Sequence, residues 1–169
     1  MDELRRAKQP VNAVLAGPYG HPYHPILVTV PIGAWVASLV FDISSRLVDS
    51  PTFLVQGSTW LIGIGLVGAV AAALFGFMDL LAVATGTRAF RTGLTHMALN
   101  LLVTAGYVAN LVWRSSGPPP TGGVAAGPLL LSLVGLAVLG VSGFLGGKLA
   151  YRYGVRVADE QVQAEGFRR

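Results

Sequence analysis

Three histidines are the side chains of this sequence best suited to hold a metal ion or a cofactor. His21 and His24 stand in the stretch GHPYHP, each followed by a proline, just before the first apolar segment. His96 lies within the third apolar segment. Neutral imidazole nitrogens bind haem iron, zinc and copper. The chemistry of this chain therefore depends on whether the fold brings these rings together.

A b-type haem with His24 and His96 as axial ligands is the most complete hypothesis. Gly93 comes one helical turn before His96 and would leave room for a flat macrocycle, and Arg88 and Arg91 would bind its propionates. The second apolar segment would add clearance through three small residues, Gly68, Ala72 and Gly76. Such a protein would be an electron-transfer subunit.

A bound metal ion is the second hypothesis, with His21, His24, Asp79 and His96 as its ligands. Imidazole and carboxylate groups suit zinc, iron or copper. The prolines favour extended geometry in the residues before them, so the first two histidines do not form a helical i, i+4 pair.

The polar stripe of the third segment permits two further interpretations. His96, Asn100, Thr104 and Tyr107 recur on one helical face, and a histidine that titrates near neutrality can relay protons with a buried carboxylate. Alternatively, the stripe supplies interhelical contacts worth about 1 kcal/mol each. His96 then bonds Asp79 or a backbone carbonyl, and the protein is a non-catalytic scaffold or partner subunit. No catalytic residue is assigned, because neither a serine nucleophile elbow nor a facing carboxylate pair is indicated.

The composition predicts that these residues lie in a membrane. Of 169 residues, 53% are hydrophobic and 12% charged, with a mean hydropathy of +0.61, whereas soluble domains carry about 25% charged residues. Crossing a bilayer takes about 20 apolar residues, and the backbone there must be helical. The four apolar segments are 26–41, 60–78, 93–113 and 124–147. We therefore expect an all-α, multi-pass protein in contact with the lipid bilayer.

Loop charge predicts the orientation of the chain. Ten of the twelve Lys and Arg residues lie in the N-terminal arm, the second loop and the tail, and the other side has only Arg46 and Arg114. The positive-inside rule places both termini in the cytoplasm. Short connections predict an up-down four-helix bundle with segments one and three diagonally opposed. The expected division is an arm (1–19), a transmembrane domain (20–157) and a polar tail (158–169).

Two features exclude other classes of function. The chain has no cysteine, which excludes disulfides, thiolate metal sites and covalent c-type haem. The formal charge of +4 comes from residues beside apolar segments, so it is a topology signal and not a nucleic-acid-binding face.

Local details of the first segment yield three expectations. Pro31 within the apolar run predicts a kink. Asp42 and Arg46 are four residues apart and are expected to pair. The two haem-ligand histidines lie at the same depth only if the first helix begins near Pro22.

Three stretches of the chain resemble a bacterial four-helix membrane family known as domain of unknown function 2231. They are GHPYHPILVTVPIGAWVASLVFD, GFMDLLAVATGTRAFRTGLTHMALN and LSLVGLAVLGVSGFLGGKLAYRYGVRV. The resemblance spans roughly residues 19 to 157, and the residues that match the family pattern are His21, His24, Pro31, Asp79, Arg88, Arg91, His96 and Asn100. It implies a multi-pass protein of the bacterial inner membrane with no settled activity. Related domains are sometimes joined to Rieske-type or cytochrome-like modules, and this context favours redox work. The expected partner is a redox protein, another membrane protein or a second copy of the chain.

Overall fold

The computed structural model describes residues 2–12, 16–117 and 122–168, and this part of the chain is mainly helical. The helices are α1 (Asp2–Lys8), α2 (Tyr23–Leu27), α3 (Thr29–Ser45), α4 (Thr52–Leu81), α5 (Arg88–Ser115), α6 (Ala126–Tyr151) and α7 (Glu160–Glu165). A short 3-10 turn, Pro18–Gly20, precedes α2.

Four helical spans are long and apolar enough to cross a membrane. They are Tyr23–Ser45, which joins α2 and α3, Thr52–Leu81, Arg88–Ser115 and Ala126–Tyr151. Many large apolar side chains on their outer faces are exposed, Trp60, Val67, Leu74 and Phe144 among them. Lipid is the solvent that such a surface requires. The all-α, multi-pass fold expected from the sequence is confirmed.

The first span is interrupted at the position that its proline predicts. Helix α2 ends at Leu27 and α3 begins at Thr29. Pro31 has no N–H to donate to the carbonyl of Leu27 four residues earlier, and its ring crowds that carbonyl. The helix is interrupted at Val28, three residues before the proline that predicts a kink.

The same span begins early enough to include His24. Pro22 is the N-cap of α2, and Tyr23 is its first residue. Pro25 is tolerated because the first N–H groups of a helix have no partner within it. The histidine predicted at the mouth of the apolar segment is therefore inside a helix, as the haem hypothesis required.

The spans pack as two hairpins. Helices α3 and α4 form the first and α5 and α6 the second, and contacts of α4 with α5 and of α3 with α6 close the ring. Small residues let the first hairpin pack closely. A Cβ on Gly65 would overlap the indole of Trp35, and one on Gly68 would lie 2.6 Å from Val30 Cγ1. This is the predicted up-down bundle, with the first and third spans on a diagonal.

Three pairs of side chains cross that diagonal. We call the end of the bundle formed by residues 82–87 and both terminal segments the basic end, and the end formed by residues 46–51 and 122–125 the distal end. From the basic end onward the pairs are His24 with His96, Trp35 with Tyr107, and Asp42 with Arg114. The middle pair is stacked, with ring centroids 4.0 Å apart. A polar pair therefore lies on either side of an aromatic core.

Candidate functional site: the facing histidines

The imidazoles of His24 and His96 meet across the bundle near its basic end. Their ring centroids are 6.2 Å apart and their planes are close to perpendicular, at 88°. Both rings are partly buried. The two histidines therefore lie together inside the protein, as the diagonal arrangement predicted. What they bind stays a prediction.

His24 is held against the small-residue face of α4. Its Nδ1 lies 2.8 Å from the carbonyl oxygen of Ala72, and a Cβ on Gly76 would lie 2.8 Å from the ring atom Cε1. A carbonyl only accepts hydrogen bonds, so Nδ1 carries the proton. In neutral His24 the lone pair is therefore on Nε2.

His96 has the same arrangement on α6. Its Nδ1 lies 2.7 Å from the carbonyl oxygen of Ser142, and Gly146 again leaves space for the ring. Asn100 Nδ2 lies 3.1 Å from His96 Nε2 and also donates to the His96 carbonyl at 2.9 Å. Of the two expected partners, a backbone carbonyl and Asp79, the structure has the carbonyl.

Asp79 pairs with Arg156 of the C-terminal tail, one of the basic residues whose positions predicted the orientation of the chain. Its Oδ1 lies 2.9 Å from Nε of Arg156, whose side chain is 5% exposed. An aspartate inside a membrane span needs a partner. This requirement could have predicted an ion pair with a basic residue at the same end of the bundle. Among the described residues, no three or more His, Asp or Glu side chains are placed to hold a metal ion. The four predicted metal ligands, His21, His24, Asp79 and His96, do not form one cluster.

The space predicted for a macrocycle is filled by side chains. A Cβ on Gly93 would lie 2.6 Å from Leu80 Cδ1, so this glycine makes room for a leucine. Arg88 and Arg91 are exposed on the first turn of α5. The packing of the described residues does not fit a haem, whereas a single ion between the imidazoles needs no such slot.

The distal end holds a second buried polar cluster. Asp42 is fully buried, and Arg114 binds both of its oxygens, Nη1 to Oδ1 at 2.8 Å and Nη2 to Oδ2 at 2.5 Å. Ser58 donates to the same carboxylate, and Nε of Arg114 donates to Asn110 at 2.7 Å. Two-point binding of this kind is the strongest arginine–carboxylate contact.

The predicted pairing of Asp42 with Arg46 is wrong. Arg46 is the C-cap of α3 and is exposed, and its Nη1 donates to the carbonyl of Val124 at 3.0 Å instead. Its side chain leaves the helix end for the neighbouring connection, so the four-residue spacing does not bring it to Asp42. The arginine of the diagonal helix takes that place.

Four membrane-length helices with lipid-facing apolar surfaces and inward polar pairs define a multi-pass α-helical membrane protein. A family model described as "Predicted membrane protein (DUF2231)" matches residues 20–159. The chain belongs to this family, which confirms the resemblance found in the sequence. Comparisons with curated proteins and with solved structures gave no match.

Proposed function

We propose that His24 and His96 together bind one transition-metal ion at the basic end of the bundle. The observation that carries this proposal is that both Nδ1 atoms lie against backbone carbonyls, at 2.8 and 2.7 Å. Histidines that bind metals donate their other ring N–H to a carbonyl or carboxylate in the same way, which leaves Nε2 for the metal.

The spacing of the rings supports a shared centre. With both Nε2 atoms directed at one ion between the rings, two metal–nitrogen bonds of about 2.0 Å, with roughly 1 Å more from each nitrogen to its ring centroid, would give about 6 Å between centroids. The distance between the His24 and His96 centroids is 6.2 Å. Imidazole nitrogens suit copper, zinc, iron and nickel, and of these ions monovalent copper accepts a site with only two ligands. A bound copper or iron ion would give the protein a redox centre for electron transfer.

A structural role for the histidines is the second candidate, and one observation favours it. Both ring nitrogens of His96 already have partners, Ser142 at Nδ1 and Asn100 at Nε2. On this alternative the rings join the two hairpins, and the protein is a membrane scaffold or a partner subunit. Metal binding would require the Asn100 amide to leave Nε2 while keeping its bond to the His96 carbonyl.

Metal content separates the two candidates. The protein is purified in detergent, analysed for bound metals, and then titrated with Cu(I) and with Zn(II). We expect one ion per chain, lost in His24→Ala and in His96→Ala and kept in the matched control His21→Ala. Retention in Asp79→Asn would support two histidine ligands, and loss would add Asp79 to the groups that hold the ion.

The visible spectrum of the same samples tests the haem form. A Soret band that shifts on reduction and disappears in His96→Ala would identify haem b and would mean that the two hairpins separate to admit it. Colourless, metal-free protein that binds neither added ion would overturn the proposal and leave the structural role.

A further inference from the structure

We propose that the two terminal segments form a clasp that closes the basic-end entrance to the histidine pair, with Arg156 as its central contact. The clasp consists of α1 and of residues 152–159. Its role in controlling access to a bound ligand rests on the proposed function, whereas the closure itself depends only on the contacts described next.

Arg156 connects the two walls of the entrance. The ring of His24 lies between α2 and α4, next to Gly76. Asp79 lies nearly one turn further toward the basic end on α4, and Gly20 precedes α2 on the opposite wall. The guanidinium reaches both, with Nε 2.9 Å from Asp79 Oδ1 and Nη2 3.5 Å from the Gly20 carbonyl. It therefore lies between α4 and the start of α2, on the basic-end side of the His24 ring.

The tail reaches this position through an unusual backbone. Gly154 and Arg156 both have left-handed φ angles, 69° and 59°, and the second is a conformation that residues other than glycine adopt only at a cost. The Arg156 N–H donates to the carbonyl of Ala7 at 2.9 Å, and Lys8 Nζ lies 3.2 Å from Asp159 Oδ1. These two contacts hold the tail against α1, and they keep the backbone of Arg156 in its left-handed conformation.

The central contact is built to be released more easily than the distal ion pair. The side chain of Asp79 is 19% exposed, whereas that of Asp42 is fully buried. Nε of Arg156 faces Asp79 Oδ1 at 2.9 Å, a single ion-pair contact. Arg114, in contrast, makes aligned bonds to both oxygens of its carboxylate. The clasp is held chiefly by charge, so breaking its ion pairs should open it.

Chemical modification of the histidines measures this opening. Full-length, metal-free protein in detergent is treated with diethyl pyrocarbonate, and tandem mass spectrometry follows the modification of His24 and of His96 separately. When opening is fast, the rate reports the population of the open state. We expect Arg156→Gln to raise the rate at His24 about tenfold, which corresponds to about 1.4 kcal/mol. Arg152→Gln, at an exposed position in the same segment, should match the wild type.

Two further variants keep the proposal testable if Arg156→Gln does not fold. Asp79→Asn removes the same ion pair from the other side and should raise the rate similarly, and Asp159→Asn, which removes only the outer pair with Lys8, should raise it less. Circular dichroism checks that each variant is folded. An unchanged His24 rate in folded Arg156→Gln overturns the clasp. If Arg156→Gln does not fold, unchanged rates in the other two variants overturn it. Because no metal is present, the clasp and the metal proposal can fail separately.

Discussion

The carboxylate of Asp42 has no solvent exposure inside a membrane span, and both of its oxygens are bound by Arg114 from the diagonal helix. Ser58 adds a hydrogen bond to the carboxylate, and Asn110 accepts one from the guanidinium. Removing one partner of a buried ion pair leaves the other uncompensated, which costs about 3–5 kcal/mol. The pair is therefore the most sensitive electrostatic contact between the two hairpins.

Asp42→Asn removes the charge and keeps the shape of the side chain. We expect it to lower the free energy of unfolding by about 3 kcal/mol, the lower end of that range, because the amide oxygen still accepts a bond from Arg114. Arg114→Met should cost a similar amount. The double variant should be more stable than the sum of the two losses predicts, by about 2 kcal/mol, since neither charge is then left unpaired.

Titration with sodium dodecyl sulfate in mixed micelles, followed by circular dichroism, measures these free energies. Asp49→Asn is the matched control, the same chemical change at an exposed residue of the distal end, and it should stay within about 0.5 kcal/mol of the wild type. A loss below about 1 kcal/mol in Asp42→Asn, or strict additivity in the double variant, would refute the assignment of this pair as a coupled buried contact.

Close packing, the Asn100 amide and the loop charges each give a further expected outcome. Gly65→Ala forces a Cβ into the Trp35 indole and should destabilise the protein by about 1–3 kcal/mol in the same titration. In the control Gly63→Ala, the added Cβ meets nothing within 4 Å, so its effect should be close to neutral. Equal effects of the two variants would contradict the packing argument. Asn100→Ala frees Nε2 of His96 and should tighten Cu(I) binding in a competition assay, while weaker binding would show that the amide supports the site. A fluorescent protein fused to the C-terminus should fluoresce in the cytoplasm, and a periplasmic alkaline phosphatase signal at that position would reverse the proposed orientation.

The sequence was sufficient to predict the fold and the meeting of the two histidines. Apolar segments of membrane length can only be helices, and short connections order them as an up-down bundle, so residues on the first and third spans must face each other. For His24 to lie at the same depth as His96, the first helix also had to begin near Pro22. Tyr23 is the first helical residue, and the centroids of the two rings lie 6.2 Å apart.

The partners of the charged and small residues could not be predicted in the same way. Spacing favours Arg46 for Asp42, but spacing is informative only while both residues stay on the helix, and Arg46 caps its end. A glycine in a sequence shows that space is needed without showing what fills it. The space at Gly93 is taken by Leu80, which depends on how α4 and α5 are set against each other.

The distal ion pair also constrains how the chain is made. Asp42 and Arg114 are separated by 72 residues, so the first two spans leave the ribosome well before the arginine that neutralises the aspartate. During that interval the carboxylate has only the hydroxyl of Ser58 as a hydrogen-bond partner within its own hairpin. The buried charge of the first span is therefore neutralised only once the third span has been made, which couples the two hairpins during synthesis.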